Sequence, residues 1–131
     1  MDLTRLLALP NVHWLGMRPM ETVASYAAGF DVALMPWLDN EWIRSCNPIK
    51  MKVYLALGLP TVSTDFPEVR RYDGLIDIAS NGSDFVQLVR TVLEREDLED
   101  DREGRRAAVA HDSWNARADA LAKVLEKDDG K

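Results

Sequence analysis

The sequence predicts an α/β domain in three layers, with about four parallel strands between flanking helices. One observation predicts the architecture and two more bound it. Short β-like runs alternate along the chain with amphipathic stretches of helical period. At 131 residues, 47% apolar and 29% charged, the chain has the size and composition of one globular domain with a core of its own. Its single cysteine, Cys46, excludes an internal disulfide and a cysteine-based zinc site, so the fold must rest on burial.

Taken in order, Val12–Leu15 reads as a short strand ended by Gly16. Met20–Gly29 carries Val23, Tyr26, Ala27 and Phe30 at helical spacing, with Pro19 as a first-turn proline. Val32–Pro36 is a buried strand stopped by its own proline, and Trp37–Cys46 a polar loop. Asn47-Pro48 opens a helix, since Asn is a preferred N-cap and Pro suits the first helical position. Gly58 ends that helix as a C′ residue, with Pro60 just beyond it. Thr61–Thr64 and Leu75–Ala79 are two further strands. Ser83–Arg95 is an amphipathic helix with Phe85, Leu88, Val89, Val92 and Leu93 on one side. The acidic run and Gly104 read as a loop, followed by helices over Arg105–His111 and Ser113–Lys127, with the last four residues frayed. Neither an internal repeat nor a second domain is visible.

Composition closes several functional classes. Net charge is −6, and residues 94–103 alone hold seven acids and two bases, so the rest of the chain sums to about −1. With no basic face, nucleic acid is not an expected partner. The longest apolar runs are about five residues, far below the ~20 that span a bilayer. Asp2 and Arg5 interrupt the N-terminus, which argues against a secretory signal and for a cytoplasmic address. The glycines fall at 16, 29, 58, 74, 82, 104 and 130, never closer than eight apart, which excludes Gly-x-Gly-x-x-Gly and the Walker P-loop. Parallel sheets bind ligands beyond the carboxyl ends of their strands. Those ends lead into Gly16–Pro19, Trp37–Asn47 and Asp65–Gly74, and the middle segment is the first place to look for chemistry.

That segment carries a resemblance. Asn47-Pro48-Ile49-Lys50, then Tyr54-Leu55-Ala56-Leu57-Gly58-Leu59-Pro60-Thr61-Val62-Ser63-Thr64 and Pro67-Glu68-Val69-Arg70-Arg71, resemble the nucleotide-sugar-binding half of GT-B-fold glycosyltransferases, in particular the retaining family 4 type. Asn11–Gly16 is similar to the family's "NVxFLG" strand, Phe30–Pro36 to its "DVxLxP" strand, and Ser113-Trp114 to the "SW" start of its last helix. The similarity runs from about Asn11 to Leu125. It implies a partial Rossmann-like domain over residues 1–131, lacking the N-terminal acceptor domain and the first strand–helix–strand of the donor domain. The complete enzyme would transfer a hexosyl group from a UDP- or GDP-sugar to an acceptor hydroxyl. The resemblance implies no metal and no cofactor beyond that donor, and the sequence offers no metal-ligand cluster.

The chemistry of the motif is intelligible without the family. A helix N-terminus offers unpaired N–H groups and about half a positive charge, a seat for a diphosphate. Lys50 lies in the first turn, where a cation is unfavourable for the helix alone but fits an anion nearby. Charge grows on a departing diphosphate, so fixed donors there favour the transition state over the ground state. By resemblance, Asn47 and Lys50 hold the diphosphate, with Arg44 a further candidate from the loop. Against this stands the plain alternative that Asn-Pro starts helices in any protein and that a first-turn lysine can simply be solvated.

Two departures from the family matter. The glutamate that it carries before "YLA", a ribose ligand, is Val53 here, flanked by Lys52, and the partner of an E-x7-E pair is Ser45. Valine accepts no hydrogen bond, so ribose recognition is lost or rerouted; Glu41 is the nearest acidic substitute. The absent acceptor domain removes half of the reaction cleft, so the isolated chain is expected to be inactive and no catalytic residue is assigned. The remaining strands leave a gap, close up into the order 1-2-3-4, or accept strands from another chain; closing up is the expectation. An exposed sheet edge follows in each case, with some tendency to self-associate. An alternative from another class is a non-catalytic interaction module or the subunit of a split transferase, whose partner would be an acceptor-domain protein.

Other residues have plainer roles. His13 points away from Val12 and Trp14 by strand alternation and reads as a surface or packing residue; His111 sits near a helix end, where a cation is favourable. Cys46 has no partner histidine. Trp37 and Trp42 line a sugar or base pocket, pack, or mark a patch left by the absent domain. Trp114 reads as core, Asp65 and Glu68 as turn and helix-start residues, and the acidic run as a solvated loop.

Overall fold

A computed structural model describes residues 3–96 and 99–128, excluding the side chains of 126–128. Three strands form one parallel sheet: β1 (Ala33–Met35), β2 (Thr61–Thr64) and β3 (Asp77–Ala79), in the order β1-β2-β3. The register pairs Leu34 with Val62 and Val62 with Asp77, and likewise Met35 with Ser63 and Ser63 with Ile78. The helices are α1 (Thr4–Leu7), α2 (Met20–Ala27), α3 (Glu41–Arg44), α4 (Ile49–Ala56), α5 (Gly82–Glu94), α6 (Glu99–Val109) and α7 (Trp114–Asp128), with a 3-10 turn at Val69–Tyr72. Helices lie on both faces of a parallel sheet, which is the predicted α/β, partial Rossmann-like architecture.

The main core forms where Met35 and Phe66 meet Met51 and Leu55 of α4 and Val109 of α6, with Val69, Tyr72 and Ile76 filling in. Met51 and Leu55 stand four residues apart on one helical face, so α4 can bury both. A smaller cluster joins Ala27 of α2 to Ala33 and Leu59. On the opposite face α5 packs against β2 and β3, and its Val92 is buried. Leu34 of β1 is left 45% exposed.

Five expectations need correction. Val12–Leu15 is not a strand: its backbone finds no ladder partner, and the Val12 N–H donates instead to the Leu9 carbonyl at 3.1 Å. The sheet therefore has three strands among the described residues, not four, and β1 is an open edge. The polar loop contains a helical turn, α3. Asn47 does not cap α4. Pro48, with an extended ψ of 119°, is the residue at the cap, no side chain bonds the free N–H groups, and the helix starts one residue later than expected. The acidic run beyond residue 98 is the helix α6 rather than a loop, with Gly104 inside it. Trp114, expected in the core, opens α7 at 80% exposure. Ser113 does cap that helix, its Oγ accepting from the Ala116 N–H at 3.1 Å. The frayed end expected for the last residues falls largely on 129–131, outside the described residues.

Candidate functional site

The carboxyl ends of all three strands open into one cleft of about 540 Å³, lined by Trp37, Asp39, Arg44, Thr64, Asp65, Arg70 and the Ser80–Gly82 turn. Its geometry follows from how each strand ends. Pro36 stops β1, and Thr64 ties the departing chain to β2 by donating its hydroxyl to the Trp37 carbonyl at 2.9 Å. Asn40 then caps α3 by accepting from the Ile43 N–H at 3.0 Å, and the buried Ile43 anchors that turn in the core. This brings Arg44 back onto Asp39, where Nε and NH2 donate to the two carboxylate oxygens at 2.8 and 2.7 Å.

The loop after β2 repeats the device. Arg70 donates through Nε and NH2 to the two oxygens of Asp65, at 2.7 and 2.8 Å. The hydrogen bond from Arg44 holds the Asp39 carboxyl below the usual range. That from Arg70 does the same for Asp65, against a smaller upward push from the charge of Asp39, so the two pairs stand within electrostatic reach of one another. Beyond β3, Asp84 accepts from the N–H and hydroxyl of Ser80 at 2.7 and 2.8 Å. Asn81 accepts from the Asp84 N–H at 3.0 Å, so the start of α5 is capped by its own side chains.

Trp37 forms the floor between the cleft and α4. Its ring lies 5.6 Å from that of Trp42, tilted by 54°, and its Nε1 is buried with no hydrogen-bond partner among the described residues. The Lys50 ammonium sits 5.0 Å from the centre of the Trp37 ring, a cation–π distance. Arg44 thus lines the cleft together with Trp37, and Lys50 stands over the ring of that tryptophan. Asn47 does not join them: it lines a second groove, of about 490 Å³, between α4 and α7, with Lys52, Val53 and Trp114. Val53 offers that groove only an apolar side chain, and Ser45, at the end of α3, is exposed. Glu41 stands in the first turn of α3, Glu68 is paired with Arg71 at 3.3 Å, and Cys46 packs against the core. Among the described residues no group of three or more His, Cys, Asp or Glu could hold a metal ion.

Sequence reasoning passed over Arg70, which it noted only as part of a motif. The signal was present: an aspartate and an arginine five residues apart follow both β1 and β2.

The chain is 29% identical over 114 residues to a Bacillus subtilis (strain 168) protein described as "Putative teichuronic acid biosynthesis glycosyltransferase TuaH". The chain is a distant relative of a protein described as a glycosyltransferase. The match takes in 84% of this chain but only 29% of the relative, so the chain spans less than a third of the length of the protein it resembles. No protein-family model matches the chain, and no solved structure gives a significant match. Among the described residues, no helix is long and apolar enough to cross a membrane.

Proposed function

We propose that this chain is the donor-binding part of a nucleotide-sugar-dependent glycosyltransferase, of the GT-B, retaining family 4 type. The complete enzyme would transfer a hexosyl group from a UDP- or GDP-sugar to an acceptor hydroxyl, with the acceptor bound by a domain outside this chain. The observation that carries the proposal is the cleft at the carboxyl ends of three parallel strands, lined by Arg44 and by Trp37 with Lys50 over its ring, in a relative of a protein described as a glycosyltransferase. Ligands of open parallel sheets gather at such ends. The start of α4 adds to this, with no acidic residue and no side-chain cap in its first turn.

In that role Lys50 and Arg44 meet the diphosphate. When the bond from the sugar to the donor oxygen breaks, the electron pair leaves with the diphosphate, and cations fixed beside it stabilise the separating charge. Asn47, turned toward the α4–α7 groove, would assist from the far side of the same helix start. Val53 leaves the ribose without the family's carboxylate partner, so base and ribose contribute less to affinity than in relatives that keep it.

The test is a calorimetric titration of the chain with UDP, GDP and their sugar conjugates, repeated on Lys50→Ala. Saturable binding should weaken about tenfold without the ammonium, the worth of one charge-assisted contact. A folded chain that binds no nucleotide at millimolar concentration would overturn the proposal. That outcome would favour a second reading, which the apolar Val53 and the exposed Trp114 along the α4–α7 groove support. In it the chain is a non-catalytic interaction module or one subunit of a split transferase.

A further inference from the structure

We infer that Arg70 is a second anion-binding guanidinium, which with Arg44 forms a twin fork that takes the two phosphoryl groups of a diphosphate. The inference deepens the proposed donor cleft and rests on it for the nature of the anion. Both arginines line the same cleft. Each is held by an aspartate five residues before it, through Nε and NH2, in two-point pairs no longer than 2.8 Å. A guanidinium carries five N–H donors, of which such a pair uses two. The plane of each group is fixed while three donors are left for a ligand.

The fold itself does not require either arginine. Both pairs are exposed, and exposed pairs of this kind add little to stability. What they supply is orientation: a planar fork set in advance loses less freedom when it meets phosphate oxygens. Backbone donors at this end of the sheet are already engaged: the Ser80 N–H donates to Asp84, the Asp84 N–H to Asn81 and the Ile43 N–H to Asn40. An entering anion therefore meets the guanidinium edges first. Asp39 and Asp65 do not repel it strongly, because each is neutralised by its own arginine, and Lys50 over the Trp37 ring offsets the Asp84 carboxylate at the Ser80 turn. Two forks match a ligand with two phosphoryl groups better than one with a single group.

Inorganic pyrophosphate and phosphate test this independently of any base or sugar. Titrations would use the wild-type chain, Arg70→Gln, Arg70→Lys and, as control, Arg71→Gln, whose arginine pairs with Glu68 and does not line the cleft. Circular dichroism would check that each variant folds. The wild type should prefer pyrophosphate to phosphate. Arg70→Gln should weaken pyrophosphate about tenfold and erase the preference, as loss of a charge-assisted contact predicts. Arg70→Lys should fall between, since a point charge lacks the fork, and Arg71→Gln should match wild type. Equal affinity for the two anions in the wild type, or unchanged pyrophosphate binding in Arg70→Gln, would overturn the inference. Parallel titrations with UDP and GDP separate the two ideas. Nucleotide binding that depends on Lys50 but not Arg70 removes the twin fork and keeps the donor cleft. Arg70-dependent pyrophosphate binding with no gain from either nucleotide does the reverse.

Discussion

At the scale of single residues, Asp112 is an acceptor shared by three side chains. Its carboxylate accepts from Lys52 Nζ at 2.7 Å, from the Tyr72 hydroxyl at 3.2 Å and from Arg117 NH2 at 3.0 Å. It thereby joins α4, the 3-10 turn and the start of α7. The Lys52 hydrogen bond, more than any other cause, holds its pKa below the ordinary value against the opposing effect of burial. Burial first, then the charge and hydrogen bond of Asp112, push the Tyr72 phenol up to about 12, so it remains a donor throughout the neutral range. The sign of the pH dependence follows. A carboxylate with a depressed folded pKa adds stability that is fully present above its unfolded value of about 3.9 and is lost as pH falls through the folded value. Asp112→Asn should therefore cost about 1–2 kcal/mol in urea unfolding at neutral pH. The difference from wild type should shrink toward zero once the pH drops well below about 3.9. A difference that persists unchanged in acid would mean that the carboxylate charge is not what these donors bind.

At the scale of elements, the end of α4 shows what sequence can specify. Gly58 adopts φ +72°, and its N–H and that of Leu59 close the helix onto Leu55 and Tyr54 at 2.9 and 3.0 Å. Its carbonyl accepts from the buried Arg105 Nε at 2.9 Å. A Cβ there would stand 3.2 Å from Arg102 Cβ and from Arg106 Nε. Gly58→Ala combines a left-handed backbone with that crowding and should destabilise by about 1–2 kcal/mol or more, read from the denaturation midpoint. The glycine was legible because one residue type meets a single-residue demand. Other elements were not. Asn47 had the right chemistry for a cap, but the extended Pro48 moved the helix start past its reach. The run after residue 98 looked like a solvated loop because its acids were counted rather than placed. In the first turn of α6, Glu99, Asp100 and Asp101 oppose the helix dipole favourably, while Arg106 bonds Glu99 and Glu103. Gly104 reads as a breaker, yet α6 runs through it, and a Cβ there would meet Leu75 at an ordinary contact distance of 3.6 Å, so packing makes no demand for glycine at this position. Of the residues proposed for the donor, Arg44 lines the cleft and Lys50 lies over Trp37, positions to which a strand end and a helix start pointed. Arg70 became visible only when the two loops were seen side by side.

At the scale of the whole molecule, protection should be graded across the sheet. β2 is the central strand, hydrogen-bonded on both sides, and Thr61, Val62 and Ser63 are fully buried. Its amides can exchange with solvent only when the domain opens. β1 is paired on one side and carries the exposed Leu34. Ahead of it, Trp14 is 72% and Met17 100% exposed, and the backbone from 13 to 19 belongs to no helix or strand. The alternation that made Val12–Leu15 look like a strand is a statement about side chains; a strand also needs a neighbour for its backbone, and the sheet supplies none there. Native-state hydrogen exchange separates the two descriptions. In a three-stranded sheet the β2 amides should be slowest, near the global unfolding limit, and those of residues 13–18 should exchange close to the rate of an unfolded chain. If His13, Trp14 and Leu15 were instead protected to the level of β2, the fourth strand expected from the sequence would be present in solution, paired with a neighbour that the sheet described here lacks.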